Sequence, residues 1–273
     1  MITKSWMYDA IIYIYALSLL FYFSDFAHTN REAKRMGTGL LSFVWGLQTV
    51  YLIMSLVSHP GLSAFSVFES LFLLSWFLVT VSLVVNRFFR IELFVFLINV
   101  IGFSVLALNF FSNPNVSPTL GSWKINDELL FIHITMAIAS YAAFAIAAVF
   151  SGMHLFLHRK LKEKQFTQVV RRLPSLENTD RYAYFSVIVG APLLLLALAL
   201  GVVWIVLEGD MRLLYDPKVV NSWFVLAAYI FYLFQRLGMR TPGNKLARWN
   251  LAAFAIVVLN FIVSNFSEFH QWS

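Results

Sequence analysis

LLFIHITMAIASYAAFAIAAVFSGMHLFL, Leu129–Leu157, contains no Asp, Glu, Lys or Arg. A helix of roughly 20 apolar residues crosses a ~30 Å hydrocarbon layer, and this stretch exceeds that length. A soluble helix of the same length would carry a charged stripe, and none is present. Seven further stretches read the same way: Met7–Phe26, Gly37–Leu56, Leu62–Val85, Ile91–Phe111, Tyr184–Leu207, Val220–Leu237 and Ala247–Phe266. The composition agrees. Hydrophobic residues make up 60% of the chain and charged residues 12%, where a soluble domain has about half and a quarter. The expectation is an all-α, polytopic membrane protein with eight transmembrane helices, a single membrane domain over residues 1–273. The first stretch reads as a span and not as a cleaved leader, because it lacks a basic start and a small-residue cleavage pattern.

The net charge of +6 is informative by position. All the Lys and Arg except Lys4, Lys124, Arg212 and Lys218 fall in alternate connections: Arg31–Arg35, Arg87–Arg90, Arg159–Arg181 and Arg236–Arg248. Cytoplasmic loops carry this excess, so both termini are predicted outside. The basic character is thus a topology signal and no sign of nucleic-acid binding. Cysteine is absent, which excludes thiol chemistry and thiolate ligation. No nucleophile–base pair, phosphate-binding loop or dinucleotide glycine pattern occurs, and the chain does not read as an enzyme.

Two connections stand out. The inner one, His158–Tyr182, predicts a basic interfacial helix over Arg159–Arg172, a turn at Pro174, and Thr179 or Asp180 capping the sixth span. The outer one, Glu208–Val219, mixes charges and aromatics: Asp210, Arg212, Tyr215, Asp216, Pro217 and Lys218. That mixture suits a shelf for an amphipathic ligand and equally an ordinary interfacial loop.

Histidines divide by side. His133, His270 and His59 are predicted outside, and His28, His154 and His158 inside. Imidazole holds iron porphyrins well, yet a lone span histidine also serves as an interhelical hydrogen-bonding group, so both readings of His133 stand. His154 and His158 lie one turn apart without a third ligand nearby, and about 31 Å of helix separates His133 from His154. Glu69, in the outer third of the third span, must bond to another helix or line a cavity. Ser70, Ser75, Asn99 and Asn260 read as interhelical links.

Several motifs occur together and in order: Phe68-Glu69-Ser70-Leu71…Ser75-Trp76, His133…Ser140-Tyr141-Ala142, Asp180-Arg181-Tyr182-Ala183-Tyr184, Gly201-Val202-Val203-Trp204, Asp216-Pro217-Lys218, and Tyr232-Leu233…Arg236. In this the chain resembles the cytochrome c assembly family of haem-handling membrane proteins. The resemblance implies a multi-pass location in a bacterial cell membrane and haem b as a cofactor. It implies His133 and His270 as axial ligands to the haem iron, flanking an outer segment that contributes Arg212, Tyr215, Asp216 and Lys218. Tyr215, Trp123 and Trp272 would cover the porphyrin, and Arg212 or Lys218 would meet its propionates. The family's outer segment is tryptophan-rich, whereas Gly209, Leu213 and Tyr215 occupy those positions here. Phe234 stands where synthase-type members have a histidine.

Among the short, eight-helix members, the resemblance further implies negative control of the level of glutamyl-tRNA reductase, the first committed enzyme of tetrapyrrole synthesis. The alternative is a haem transport or delivery component working with a cytochrome c assembly partner. Membrane lipid and haem are implied partners in either case.

Overall fold

A computed structural model describes residues 2–28, 30–58, 67–89, 91–111, 125–209 and 211–263. Its elements are α1 (Ile2–His28), α2 (Arg31–Ser58), α3 (Val67–Phe89), α4 (Glu92–Phe111), α5 (Ile125–Lys162), α6 (Gln168–Arg172), α7 (Leu176–Glu208), α8 (Pro217–Leu237) and α9 (Gly243–Val263). A 3₁₀ turn, Met211–Tyr215, stands between α7 and α8. No strand occurs among the described residues. The long helices follow the eight apolar stretches in order, and the chain is a multi-pass membrane protein. Six of them are long and apolar enough to cross a bilayer, with a shorter apolar segment at Glu92–Leu108.

The chain divides into two compact units, 1–119 and 120–273. In the first, α1 packs on α2 and α4, and α3 packs on the same two helices. The result is a closed four-helix ring whose interior is tied by polar contacts. Gln48 Nε2 donates to Ser75 Oγ, Tyr15 Oη to Asn99 Oδ1, and Asn99 Nδ2 to Ser82 Oγ, with all five residues fully buried. Trp76 Nε1 donates to Thr49 Oγ1 and Ser55 Oγ to Glu69 Oε1, so the α3 motif fastens α3 to α2. Glu69 is thus an interhelical partner, as are Ser75 and Asn99.

The second unit repeats the ring: α5 and α8 each pack against both α7 and α9. The contact of α5 with α7 is the most extensive. It is possible because α5 carries Ala142, Ala143, Ala145, Ala147 and Ala148, small residues that let two backbones approach. The Phe144 ring stacks on Tyr229 at 3.6 Å and fills the centre. Gly190 of α7 makes room for it, because a Cβ there would lie 2.7 Å from Phe144 Cε1.

The inner connection differs from expectation in two ways. The predicted continuous helix Arg159–Arg172 is broken: α5 runs on to Lys162, Lys164 adopts φ 56, and Thr167 starts the short α6 by accepting from Val170 N. Glu163 pairs with Arg159 at 2.9 Å, one turn back. The cap of α7 is Ser175, not Thr179 or Asp180; its side chain accepts from Asn178 N at 3.2 Å. Pro174 disfavours helix before it, so the first polar residue after the proline takes the cap.

Filling the Gly190 site is expected to cost about 1–3 kcal/mol through displacement of Phe144. Gly190→Val should therefore lower the thermal midpoint in detergent, whereas Gly152→Ala, which meets nothing within 4 Å, should leave it unchanged.

Candidate functional site

The outer segment is built from local rules. Gly209 ends α7 with φ 84, a left-handed conformation that glycine adopts without strain. The 3₁₀ turn follows with no buried residue; Tyr215 is 84% exposed and Met211 half exposed. Asp216 then caps α8, its Oδ1 accepting from Lys218 N at 2.8 Å while its own N–H donates to Leu213 O. Pro217 occupies the first helical turn, where its missing N–H costs nothing. The Asp-Pro-Lys run is thus a capped helix start that fixes where the turn meets α8. The φ of Gly209 is one that a bulky side chain adopts only with strain.

His133 lies across from this segment on α5. Its Nδ1 is 2.6 Å from the Ala197 carbonyl of α7. A carbonyl can only accept, so Nδ1 donates and carries the proton. In the neutral ring the lone pair then sits on Nε2. Gly201, one turn beyond Ala197, permits the approach: a Cβ there would lie 2.8 Å from His133 Cε1 and 2.9 Å from Nδ1. The glycine of the Gly201…Trp204 motif is therefore the seat of the His133 ring. Lys218 lies within electrostatic range of that ring. His133 is an interhelical link through Nδ1.

The structure places Lys218 within electrostatic range of His133, with Asp216 capping the helix that bears Lys218 and Arg212 and Tyr215 on the turn before that cap, all within the second unit. Arg212 is exposed. His270, Trp272, Trp123, His59 and Asp210 lie outside the described residues. The described groups fit one axial position of a haem. An imidazole whose other N–H is held by a backbone carbonyl is the usual arrangement of a ligating histidine. Met211 and Tyr215 expose apolar surface on the turn, and Arg212 on the same turn is an exposed cation of a kind suited to carboxylates.

A second constellation, at the inner end, was not singled out from sequence. Asp180 Oδ2 and Arg236 Nη1 pair at 2.5 Å, and the Arg236 guanidinium lies over the Tyr184 ring at 5.2 Å. This joins the Asp180…Tyr184 and Tyr232…Arg236 motifs across α7 and α8. The signal was an acid and a base each near the inner end of a span, but their partnership depends on helix packing. His154 is held by the Leu176 carbonyl and Thr179 Oγ1, both 3.2 Å from Nδ1. No group of three His, Cys, Asp or Glu gathers as a metal site among the described residues. Asn260 Nδ2 donates to Tyr141 Oη and Ser222 Oγ, joining α9 to α5 and α8 as expected.

Comparison with known proteins agrees with these motifs. The family described as Cytochrome C assembly protein matches residues 64–270. Protein HemX of Brevibacillus brevis is 41% identical over 267 residues, covering 98% of this chain and 98% of that protein. Protein HemX of Bacillus subtilis is 41% identical over 266 residues, covering 97% of this chain and 96% of that protein. A cytochrome c biogenesis protein CcsA of Prochlorococcus marinus is 25% identical over 268 residues, covering 88% and 84%. No solved structure matches the chain.

Removal of the α8 cap is expected to cost about 1 kcal/mol, so Asp216→Ala should lower the thermal midpoint in detergent. Asp216→Ser, which retains an acceptor, should recover most of that loss.

Proposed function

The chain belongs to the cytochrome c assembly protein family, and from that premise we propose a HemX-like membrane protein, not an enzyme, that binds haem b at the outer His133 site and lowers the level of glutamyl-tRNA reductase. The observation that carries the haem reading is the hydrogen bond from His133 Nδ1 to the Ala197 carbonyl. It fixes the tautomer and orients the ring, and in this reading Nε2 is the nitrogen that would meet iron. Bound haem would supply a redox-active iron and two carboxylates, and His270 is the second axial ligand in this reading. Arg212 and Lys218 receive the propionates, and Tyr215 covers the porphyrin edge. Asp216 acts through the backbone, holding Lys218 and the turn in place.

Regulation requires a surface toward the cytoplasm. The positive-inside pattern gives that role to the basic connection Arg159–Arg181, where Arg171 and Arg172 close the short α6. Reductase, or a factor acting on it, would meet this stretch.

The alternative is haem delivery to a cytochrome c assembly partner. The match of the family over residues 64–270 favours it. Gly209 counts against it, because the outer turn is built around a glycine conformation instead of a row of tryptophans. Deleting the gene separates the two. Loss of covalent c-type haem with unchanged reductase supports delivery, and raised reductase with normal c-type haem supports regulation.

Haem binding is tested by the Soret band of purified protein. His133→Ala and His270→Ala should each diminish it relative to wild type. Gly201→Leu, which drives the His133 ring from its seat, should weaken haem affinity about 10- to 100-fold. A band of equal size in all of them removes the bis-histidine site. Separately, Arg171→Gln with Arg172→Gln should raise reductase abundance on immunoblot while insertion stays normal; an unchanged level in the inserted variant excludes this surface.

A further inference from the structure

An open groove of about 420 Å³ lies between the inner end of α8 and the start of α9. Its α9 wall consists of Lys245, Arg248, Trp249 and Ala252, spaced i, i+3, i+4 and i+7, which places all four on one helix face. Its α8 wall carries Phe231 and Gln235, one turn apart. The two walls are fixed to each other. Trp249 Nε1 donates to the Ala228 carbonyl of α8 at 3.0 Å, and the Phe231 and Trp249 rings meet edge to face at 4.9 Å. The connection between them is ordered as well, with Gly238 N bonded to Phe234 O and Thr241 N to Gln235 O.

The chemistry of the groove is graded along the helix axis. Lys245, nearest the loop, lies seven residues from Ala252, which is about 10 Å of rise. Cations therefore occupy the loop end, at headgroup depth. Phe231, Trp249 and Ala252 occupy the end nearer the hydrocarbon. Lys245 and Arg248 are exposed, and neither is paired with a carboxylate among the described residues. No acidic residue lines the groove.

A soluble anion would use the cations and leave the apolar wall bare, and a cytoplasmic peptide would have to enter hydrocarbon to reach Phe231 and Ala252. A lipid with a charged head and an apolar tail matches both ends at their natural depths. We propose that this groove is a binding site for one anionic glycerophospholipid. Its phosphate is held by Lys245 and Arg248, Gln235 hydrogen-bonds the headgroup, and the upper part of an acyl chain lies on Phe231, Trp249 and Ala252. The site is independent of the haem reading, since it shares no residue with the outer segment.

The test is native mass spectrometry of the full-length protein in neutral detergent, titrated with mixed micelles of phosphatidylglycerol or phosphatidylcholine. Wild type is expected to retain one phosphatidylglycerol and to discriminate against phosphatidylcholine; equal retention of both lipids overturns the proposal independently of any variant. Lys245→Gln with Arg248→Gln should weaken retention roughly 30-fold, about fivefold from each cation. Ala252→Trp keeps both cations and fills the apolar wall, and it should lose the same molecule. Arg159→Gln with Lys162→Gln, elsewhere on the inner face, should retain it. Undiminished retention by the Lys245/Arg248 double variant refutes the site. Displacement of the lipid by inorganic phosphate at equal concentration refutes a lipid in favour of a free anion.

Discussion

In hydrocarbon a polar side chain has no water to turn to, so a partner on the protein is strongly favoured. That constraint organises both four-helix units. In the first, Tyr15, Gln48, Ser75, Ser82 and Asn99 link helices through their side chains, and Ser55 meets Glu69 nearer the outer end. In the second, Asn260 binds Tyr141 and Ser222, Asn250 binds Ser151, and His133 binds a backbone carbonyl. Apolar packing alone gives little preference between helix neighbours in lipid, because lipid tails are as apolar as leucine. These sparse polar links are what select the neighbours.

A polar or aromatic group can reach across only where the opposing helix gives way, and the chain does this with glycine. Gly201 admits the His133 ring, Gly190 admits Phe144, and Gly102 admits the Tyr15 hydroxyl, which would lie 2.7 Å from a Cβ placed there. In each case the glycine and its guest stand on different helices. The same close approach supplies both stability and chemistry at Gly201. It lets the imidazole reach a carbonyl lone pair that an ordinary side chain would cover, and that hydrogen bond decides which ring nitrogen is basic.

Span existence was legible because the bilayer writes it plainly: some 20 apolar residues between basic connections. Span ends were less so. The run Ser175-Leu176-Glu177-Asn178 follows a proline and caps α7 well before the apolar stretch begins, so helix and hydrophobic span start at different places. Likewise α5 extends to Lys162, with its basic last turn favourable to the helix dipole, beyond its last apolar residue. Pairings between helices were the least legible part. Asp180 and Arg236 are far apart in sequence, and only the packing of α7 on α8 makes them partners. Ser75, Asn99 and Asn260 were recognised as interhelical, but their partners were not. By residue type the sequence singled out His133 and the Asp216-Pro217-Lys218 run, and both lie in the second unit. The carbonyl that orients His133 was not visible, because a backbone acceptor leaves no mark in the sequence.

The Asp-Pro-Lys run of the outer segment is accounted for by helix geometry alone. Asp216-Pro217-Lys218 starts the helix by an acid cap, a proline in the first turn and a backbone N–H held by the carboxylate. That geometry needs no ligand. The aromatic positions upstream answer to whatever lies on the turn, and here they include a glycine at φ 84 that suits a tight helix end. Retention of the cap therefore says little about ligand binding, whereas His133 says more. An imidazole half-buried in a span could have been replaced by an apolar residue with gain in packing. It is instead seated on a glycine and locked by a carbonyl, which links α5 to α7 and fixes the ring tautomer. In the proposed haem reading the His133 seat therefore carries more weight than the loop that follows α7.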